Sequence, residues 1–593
     1  MTRRFDLIFY LAVMTMTATL QCTTKGKEEL PPGDRRNGGL YLPEGFEAVV
    51  VADSIGPARH MAVNSNGDVY VKLTYNDAMN GRGGTVALRD ADRDGKADII
   101  TYFGDYKDEG GLPAGMVIHD GYLYTSTVRY VLRNKLTPGE LLPTGKTEVI
   151  FSDDDSNLFR HWHTAKPLAF DNDGHMYIPF GAPDDGGQDI TKVGPAGMPG
   201  GKGLDPSPDL ERYAGIWRFS DSKGGQTQKD GVRYATGIRS VLGITWNQAE
   251  NSLYVVMNGM DNFHTRYPSL FTPWQAAVLP SEPLLKVREH TDFGWPYAYY
   301  DHMTGKNILQ PAYGGDGKTE GRAAGFDKPV MGFPGHWAPM DLLFLKGGQF
   351  PERYRKGGFV AFHGSTDRSP YPQAGYVVCF VPFENGVATG DWEVFADGFT
   401  VVDTVFNTRD AVYRPMGLAE GPDGSLYITE SNKGKIWRVM FKGDKEHFGR
   451  PQLAGMEDRR RTRTYIKAPD SLKDNLGHGG EMEGLILYNA YCAGCHQRDG
   501  RGDNNRYPPL LGSSWISGNR SRLISILLQG LQGEIQVNGK TYNGVMPAHG
   551  AFLDDHAIAS ILTYVQGRFN KDHTAIPSEE VSRVRKGLTA TGK

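Results

Sequence analysis

Leu168-Ala-Phe-Asp-Asn-Asp-Gly-His-Met-Tyr177 joins an apolar strand to a tyrosine-bearing strand through a turn of Asp, Asn and Gly. Glycine accepts the positive φ of a tight hairpin turn, so alternating apolar residues on either side of such a turn form a β-hairpin. The same pattern stands at Met61-Ala-Val-Asn-Ser-Asn-Gly-Asp-Val-Tyr70-Val, Val117-Ile-His-Asp-Gly-Tyr-Leu-Tyr124, Ile244-Thr-Trp-Asn-Gln-Ala-Glu-Asn-Ser-Leu-Tyr254 and Leu418-Ala-Glu-Gly-Pro-Asp-Gly-Ser-Leu-Tyr427. A degenerate copy lies in Leu342 to His363. Hairpins repeating every ~50 to 100 residues are the mark of propeller blades, whose faces only neighbouring blades can bury. The repeats predict an all-β propeller of about six blades over residues 40–441, in preference to a meandering sandwich.

The composition agrees. The 76 Gly, 35 Pro, 29 Tyr and 27 Phe in 593 residues favour short strands and tight turns. That length exceeds one ordinary domain. A net charge of -4 provides no field for attracting nucleic acid, and none is expected as a partner. With four cysteines, two of them in one short motif, a disulfide framework is excluded.

The chain beyond the repeats divides into recognisable pieces. Arg3 and Arg4 precede an apolar run from Phe5 to Leu20, which reads as an export signal over residues 1–21. Thr19-Leu20-Gln21-Cys22 resembles the relaxed lipobox of bacterial lipoproteins, which implies a lipid on Cys22 and a polar tether over residues 22–39. Cys22 could equally be an incidental cysteine beside an ordinary cleavage site. The expected location is the periplasm or outer membrane of a bacterium, with the membrane reached through the lipid alone. Residues 442–478, with the basic cluster Arg459-Arg-Arg-Thr-Arg463, read as a solvated linker. Helical spacing returns in Glu481 to Tyr491, Arg520 to Leu528 and His556 to Phe569, so a small all-α domain is expected over residues 479–571, with a tail over 572–593.

Cys492-Ala-Gly-Cys495-His496 is the covalent haem signature: two thiols add to the vinyl groups and the adjacent imidazole of His496 reaches the iron. No further Cys or His stands close enough for a zinc site. The second axial ligand is expected downstream, at Met546 in Gly544-Val-Met-Pro547, with His549 as the alternative. With Tyr507-Pro-Pro-Leu510 and Ile561-Leu-Thr-Tyr-Val565, this part resembles a small class I cytochrome c. Cys379 reads as a buried strand thiol.

Asp90-Ala-Asp92-Arg-Asp94-Gly95-Lys-Ala-Asp98 places carboxylates at alternating positions around a glycine turn, as a loop does when it wraps a hard cation. A structural calcium on Asp90, Asp92, Asp94 and Asp98 is expected; solvated turn carboxylates are the alternative.

Six motifs occur in order within the repeats: His161-Trp-His163-Thr-Ala-Lys-Pro-Leu168, Tyr234-Ala-Thr-Gly-Ile-Arg239-Ser, Asn258-Gly-Met-Asp261, Asp292-Phe-Gly-Trp-Pro296, His363-Gly-Ser-Thr-Asp-Arg368 and Tyr413-Arg-Pro-Met-Gly417. Together they resemble the glucose/sorbosone dehydrogenase family, six-bladed propellers that bind pyrroloquinoline quinone with calcium. The resemblance implies His163 as the base that takes a substrate hydroxyl proton, with His161 as the other candidate. It implies Arg239, Arg368, Arg414 and Arg59 as contacts to the quinone, whose three carboxylates suit guanidinium forks. It implies the backbone carbonyls of Gly259 and Met260 as ligands of an active-site calcium. The chain departs from the best-studied branch at Trp162, Ser240 and Met260, where that branch has aspartate, asparagine and proline. The expected activity is oxidation of a sugar or related alcohol or aldehyde, with electrons passed to haem c and on to a respiratory or soluble acceptor. The rival is a non-catalytic carbohydrate- or protein-binding propeller carrying an electron-transfer cytochrome.

Overall fold

The computed structural model describes residues 30–74, 84–104, 114–187, 202–261, 263–267, 269–368, 371–468, 481–502, 507–551 and 553–590. The export signal and Cys22 lie outside the described residues.

Each tyrosine hairpin becomes the heart of a blade. In the third, Phe170 pairs with Met176 across a turn whose Gly174 has φ +83°. Asp171 organises that turn: its carboxylate accepts the Asp173 and His175 backbone N–H groups and the Tyr177 hydroxyl. A side chain that satisfies local backbone donors in this way makes the turn residue-specific.

Six sheets of four or five strands follow one another around the chain. Their innermost strands are Ala58–Val63, Met116–His119, Ala169–Phe170, Val241–Asn247, Pro339–Leu343 and Pro415–Glu420. The last sheet takes its outermost strand from the other end of the domain, where Phe46–Ala52 pairs antiparallel with Ile436–Phe441. This pairing ties the two ends of the domain into one blade and closes the ring. The six-bladed propeller is therefore borne out.

The repeated tyrosines seal one blade to the next. Tyr177 of the third stacks on Trp246 of the fourth at 5.5 Å between ring centroids, and the hydroxyl of Tyr70 in the first donates to the Leu141 carbonyl in the second at 2.8 Å. Buried aromatic faces supply the apolar area while each hydroxyl finds an acceptor. Cys379 is a fully buried thiol on Val377–Glu384.

The segment read as a solvated linker instead carries a helix, Arg450–Thr462, and its basic cluster is an attachment to the fifth blade. Pro451 suits the first helical turn, and Met456, Tyr465 and Ile466 enter the core beside Trp392 and Val394. Arg459 pairs with Asp397, Arg460 with Asp391 and Arg463 with Asp403. The polar sequence concealed this because ion pairs rather than an apolar stripe carry most of the contact.

The C-terminal domain is helical as expected, with Glu481–Tyr491 crossing Asp555–Asn570. Gly484 makes the crossing possible, because a Cβ there would lie 2.1 Å from the Ser560 carbonyl oxygen. Two short ribbons accompany the helices, Leu531–Gln532 with Val545–Met546 and Ile535–Val537 with Lys540–Tyr542. Residues 572–593, read as a tail, include the helix Ser578–Ala590. It belongs to this core: Val581 is buried, and Arg585 donates to Asp555 and to the Leu553 carbonyl.

Candidate functional site

Two sites follow, one in each domain. In the C-terminal domain, Cys492, Cys495, His496, Met546 and His549 line one cavity whose walls include Tyr491, Pro508 and Leu531. Its lining is largely apolar, as a macrocycle's pocket requires. Burial pushes the Cys492 thiol up to about 12, which suits a thioether precursor better than a redox thiolate. The His496 Nδ1–H donates to the Pro508 carbonyl at 3.0 Å, leaving the Nε2 lone pair for iron. Met546 is held by the pairing of Val545–Met546 with Leu531–Gln532. Both candidate ligands for the second face, Met546 and His549, border the cavity.

In the propeller, the structure separates the two candidate bases. His161 lies 3.4 Å from the Asp155 carboxylate and edge-on to Tyr213, whose hydroxyl also donates to Asp155. The His163 Nδ1–H donates to the Ala182 carbonyl at 2.7 Å, which fixes the tautomer and leaves Nε2 as the basic nitrogen. Burial, and then the charge of Arg239, push its pKa down to about 3, so the ring is neutral across the physiological range.

Arg239 is fixed by acceptors on two sides. It gives N–H bonds to the carbonyls of Asn258 and Gly259 and pairs with Asp185. The other Asp185 oxygen accepts from Arg266 at 2.8 Å. The Gly259 carbonyl, expected to face a calcium ion, is thus engaged by a guanidinium. Met260 is buried and its sulfur accepts from the Gln310 amide. The donors that do converge nearby are Asp261, His336 and Asp367, with ligand atoms within 4.8 Å of one another. The His336 Nε2–H donates to the Ala276 carbonyl and its Nδ1 faces Asp261 at 3.3 Å. Burial, then the charge of Asp261, push Asp367 up to about 6. Burial also pushes Glu282, which accepts the Ala338 N–H, up to about 8.

A cationic pole lies at Arg59, Arg368 and Arg414. The Arg414 guanidinium donates to the carbonyls of His363 and Gly364, and the Arg368 Nε donates to that of Ala277 at 3.0 Å. Arg368 is 1% exposed and its Nη1 has no hydrogen-bond acceptor. The three guanidinium pKa values are lowered to about 10, by burial and, for Arg59, also by the charge of Arg414. Buried cations crowded together favour an anion between them. Among the described residues neither Arg368 nor Arg414 makes a salt bridge to a carboxylate. This donor set fits a group bearing several carboxylates.

Asp185, His336 and Glu282 were not among the residues singled out from sequence. Asp185 lies in Pro183-Asp-Asp-Gly-Gly187, an ordinary-looking turn whose partner Arg239 is 54 positions away. Of the four carboxylates in the proposed calcium loop, Asp90, Asp92 and Asp98 converge within 4.8 Å. Asp94 is not among them; it caps the Lys96 N–H.

A family model described as TrAA12-like matches residues 213–442, and one described as cytochrome C oxidase, cbb3-type, subunit III matches residues 480–565. Cytochrome c-552 of Thermus thermophilus is 39% identical over 114 residues, which are 18% of this chain and 86% of that protein. The cytochrome subunit of a fructose dehydrogenase from Gluconobacter japonicus is 32% identical over 152 residues, 24% of this chain and 28% of the relative. An uncharacterised protein of Borreliella burgdorferi is 28% identical over 218 residues, 37% of this chain, and the match spans half of that relative's length. Among solved structures, the PQQ domain of pyranose dehydrogenase from Coprinopsis cinerea superposes with a TM-score of 0.53 at 17% identity, covering 69% of this chain and 98% of that one. A family AA12 carbohydrate-active enzyme of Trichoderma reesei gives 0.53 at 15%, covering 70% and 99%. At such identities these likenesses establish the propeller fold.

Proposed function

We propose, from the premise that the C-terminal domain of this chain belongs to the family of c-type cytochromes, that the propeller is a dehydrogenase feeding that cytochrome. The substrate class is a sugar or related alcohol or aldehyde, and the organic cofactor is pyrroloquinoline quinone. One observation carries the reading. His163 is a half-buried neutral imidazole with its tautomer fixed by Ala182, beside the charge of Arg239, in the same propeller as Arg368 and Arg414, neither of which makes a salt bridge to a carboxylate among the described residues.

The residues divide the work. The His163 Nε2, its lone pair left free by the Nδ1–H bond to the Ala182 carbonyl, takes the proton from the substrate hydroxyl. Arg368, Arg414 and Arg59 would hold the cofactor carboxylates. Arg239, fixed by Asp185, would orient the cofactor's reacting edge. When bound, the quinone supplies a two-electron acceptor for hydride leaving the substrate carbon. A calcium ion beside it would draw on Asp261, which converges with His336 and Asp367. The Asp90 loop would hold a second calcium in a structural role. In the cytochrome, His496 and Met546 would be the axial ligands of haem c. Export and lipid attachment at Cys22 are part of the same reading, since thioether haem is attached outside the cytoplasm.

Cofactor uptake tests this apart from turnover. Haem-loaded protein mixed with calcium and pyrroloquinoline quinone, then passed through a desalting column, should retain about one quinone per haem, and the Arg368→Ala and Arg414→Ala variants should retain far less. Loss of all quinone from the wild type would overturn the assignment.

A further inference from the structure

The cytochrome touches the propeller through a residue two positions from the haem ligand His496. Arg498 pairs with Asp410, and its guanidinium lies 5.3 Å from the centre of the Phe406 ring. Asp410 is itself held in place: its carboxylate accepts the backbone N–H groups of Phe406 and Asn407 at 3.0 and 2.9 Å. The loop that carries it leads directly into Arg414 of the cationic pole. Tyr376 fills the space behind. Its ring packs against Gly364, where a Cβ would fall 2.3 Å from it, and the Gly364 carbonyl accepts from Arg414. Arg414 thus touches Gly364, which packs on Tyr376, and the backbone of its own loop leads from Arg414 back to Asp410, and by the ion pair to Arg498 and the haem-binding segment.

We infer that the Arg498–Asp410 contact, with Phe406 beneath it, is the docking geometry in which the propeller hands electrons to its own haem. The inference rests on the proposed dehydrogenase reading and adds the contact through which the propeller meets the cytochrome of the same chain. The electrons balance simply. Oxidation of one substrate hydroxyl or aldehyde releases two electrons, which leave the propeller one at a time. Each reduces ferric haem to ferrous, and each ferrous haem is reoxidised by an external one-electron acceptor. The hydroxyl proton passes to His163 and then to solvent, and the hydrogen that leaves the substrate carbon as hydride is released as a proton when its two electrons leave the propeller.

The character of the contact suits this role. Arg498 and Asp410 are 45% and 25% exposed. An ion pair so open is weak and screened by salt. Tethering in one chain supplies a high effective concentration, so a weak contact suffices for docking and permits release toward the next acceptor.

The test uses the full-length, haem-loaded protein with quinone and calcium. Asp410→Lys and Arg498→Glu should each slow substrate-driven haem reduction about tenfold at low ionic strength, and the two combined should recover most of the rate. Turnover with a small dye that takes electrons at the propeller should be unchanged in all three. Rising salt should slow the wild type toward the single variants. Single variants that reduce haem at the wild-type rate would overturn the inference. If the wild type reduces neither haem nor dye, the dehydrogenase reading fails instead. The docking is then decided by a short bis-maleimide between Asp410→Cys and Arg498→Cys, which should join the two positions at low salt; absence of that cross-link would overturn it.

Discussion

Asp185 holds Arg239 by a buried ion pair, and it does so with one carboxylate oxygen while the other accepts from Arg266. One side chain thus compensates two guanidiniums and fixes the orientation of the one beside His163. Removing one partner of a buried pair leaves an uncompensated charge, which costs about 3 to 5 kcal/mol. Asp185→Asn should therefore lower propeller stability by about that amount and weaken quinone retention. Denaturant unfolding and desalting retention check both. A variant as stable and as retentive as the wild type would show that Arg239 is positioned by the Asn258 and Gly259 carbonyls alone.

Glu282 and His163 give opposite pH dependences. Burial raises Glu282 from 4.5 to about 8, so the folded state keeps a proton that the unfolded chain releases, and its stabilising contribution is lost as pH rises from 4.5 through 8. His163, lowered from 6.5 to about 3, contributes stability present above pH 6.5 and lost as pH falls toward 3. Glu282→Gln, which keeps an acceptor for the Ala338 N–H, should flatten the alkaline slope and leave the acidic one. Urea midpoints for the propeller transition between pH 4.5 and 8 test this; an unchanged alkaline slope in the variant would contradict the raised carboxyl.

At the haem, Met546 and His549 compete for the second axial position. Thioether ligation raises the potential, so Met546→Ala should lower it and remove the sulfur-to-iron absorption band. His549→Gln should leave that band intact. A wild type without that band, with a potential that moves in His549→Gln and not in Met546→Ala, would assign the iron to the imidazole.

The attachment of Arg450–Thr462 is also measurable. Asp397 is fully buried and pairs with Arg459, whose guanidinium also lies 3.5 Å from the centre of the Tyr41 ring. Arg459→Met should cost about 3 kcal/mol by leaving Asp397 uncompensated. Protease cutting in residues 450–462 should quicken with it; an equally resistant variant would assign the attachment to Met456, Tyr465 and Ile466.

These cases show what was legible in the sequence. The hairpins around Gly67 and Gly174 announce themselves because turn chemistry and alternation are local, so the propeller follows from them. The haem signature is equally local. His163 and Arg239 could be named through a family resemblance, but the choice between His161 and His163 needed the Ala182 carbonyl, 19 positions from His163. Asp185 and His336 escaped because their partners are distant in the chain and nothing nearby marks them. The helix Arg450–Thr462 escaped for another reason: its contact with the fifth blade is built largely from charges, and a charge run read alone looks solvated.

The central claim is that the propeller oxidises a small hydroxyl or aldehyde substrate and reduces the haem of the same chain. The direct measurement mixes quinone- and calcium-loaded, full-length protein with a panel of aldoses and pyranoses and follows haem absorbance, with no other electron donor present. The account predicts substrate-dependent haem reduction in the wild type and its loss in His163→Ala, while dithionite reduces both proteins equally. Quinone-loaded protein whose haem stays oxidised across the whole panel, or a His163→Ala variant that reduces it as fast as the wild type, would contradict the account.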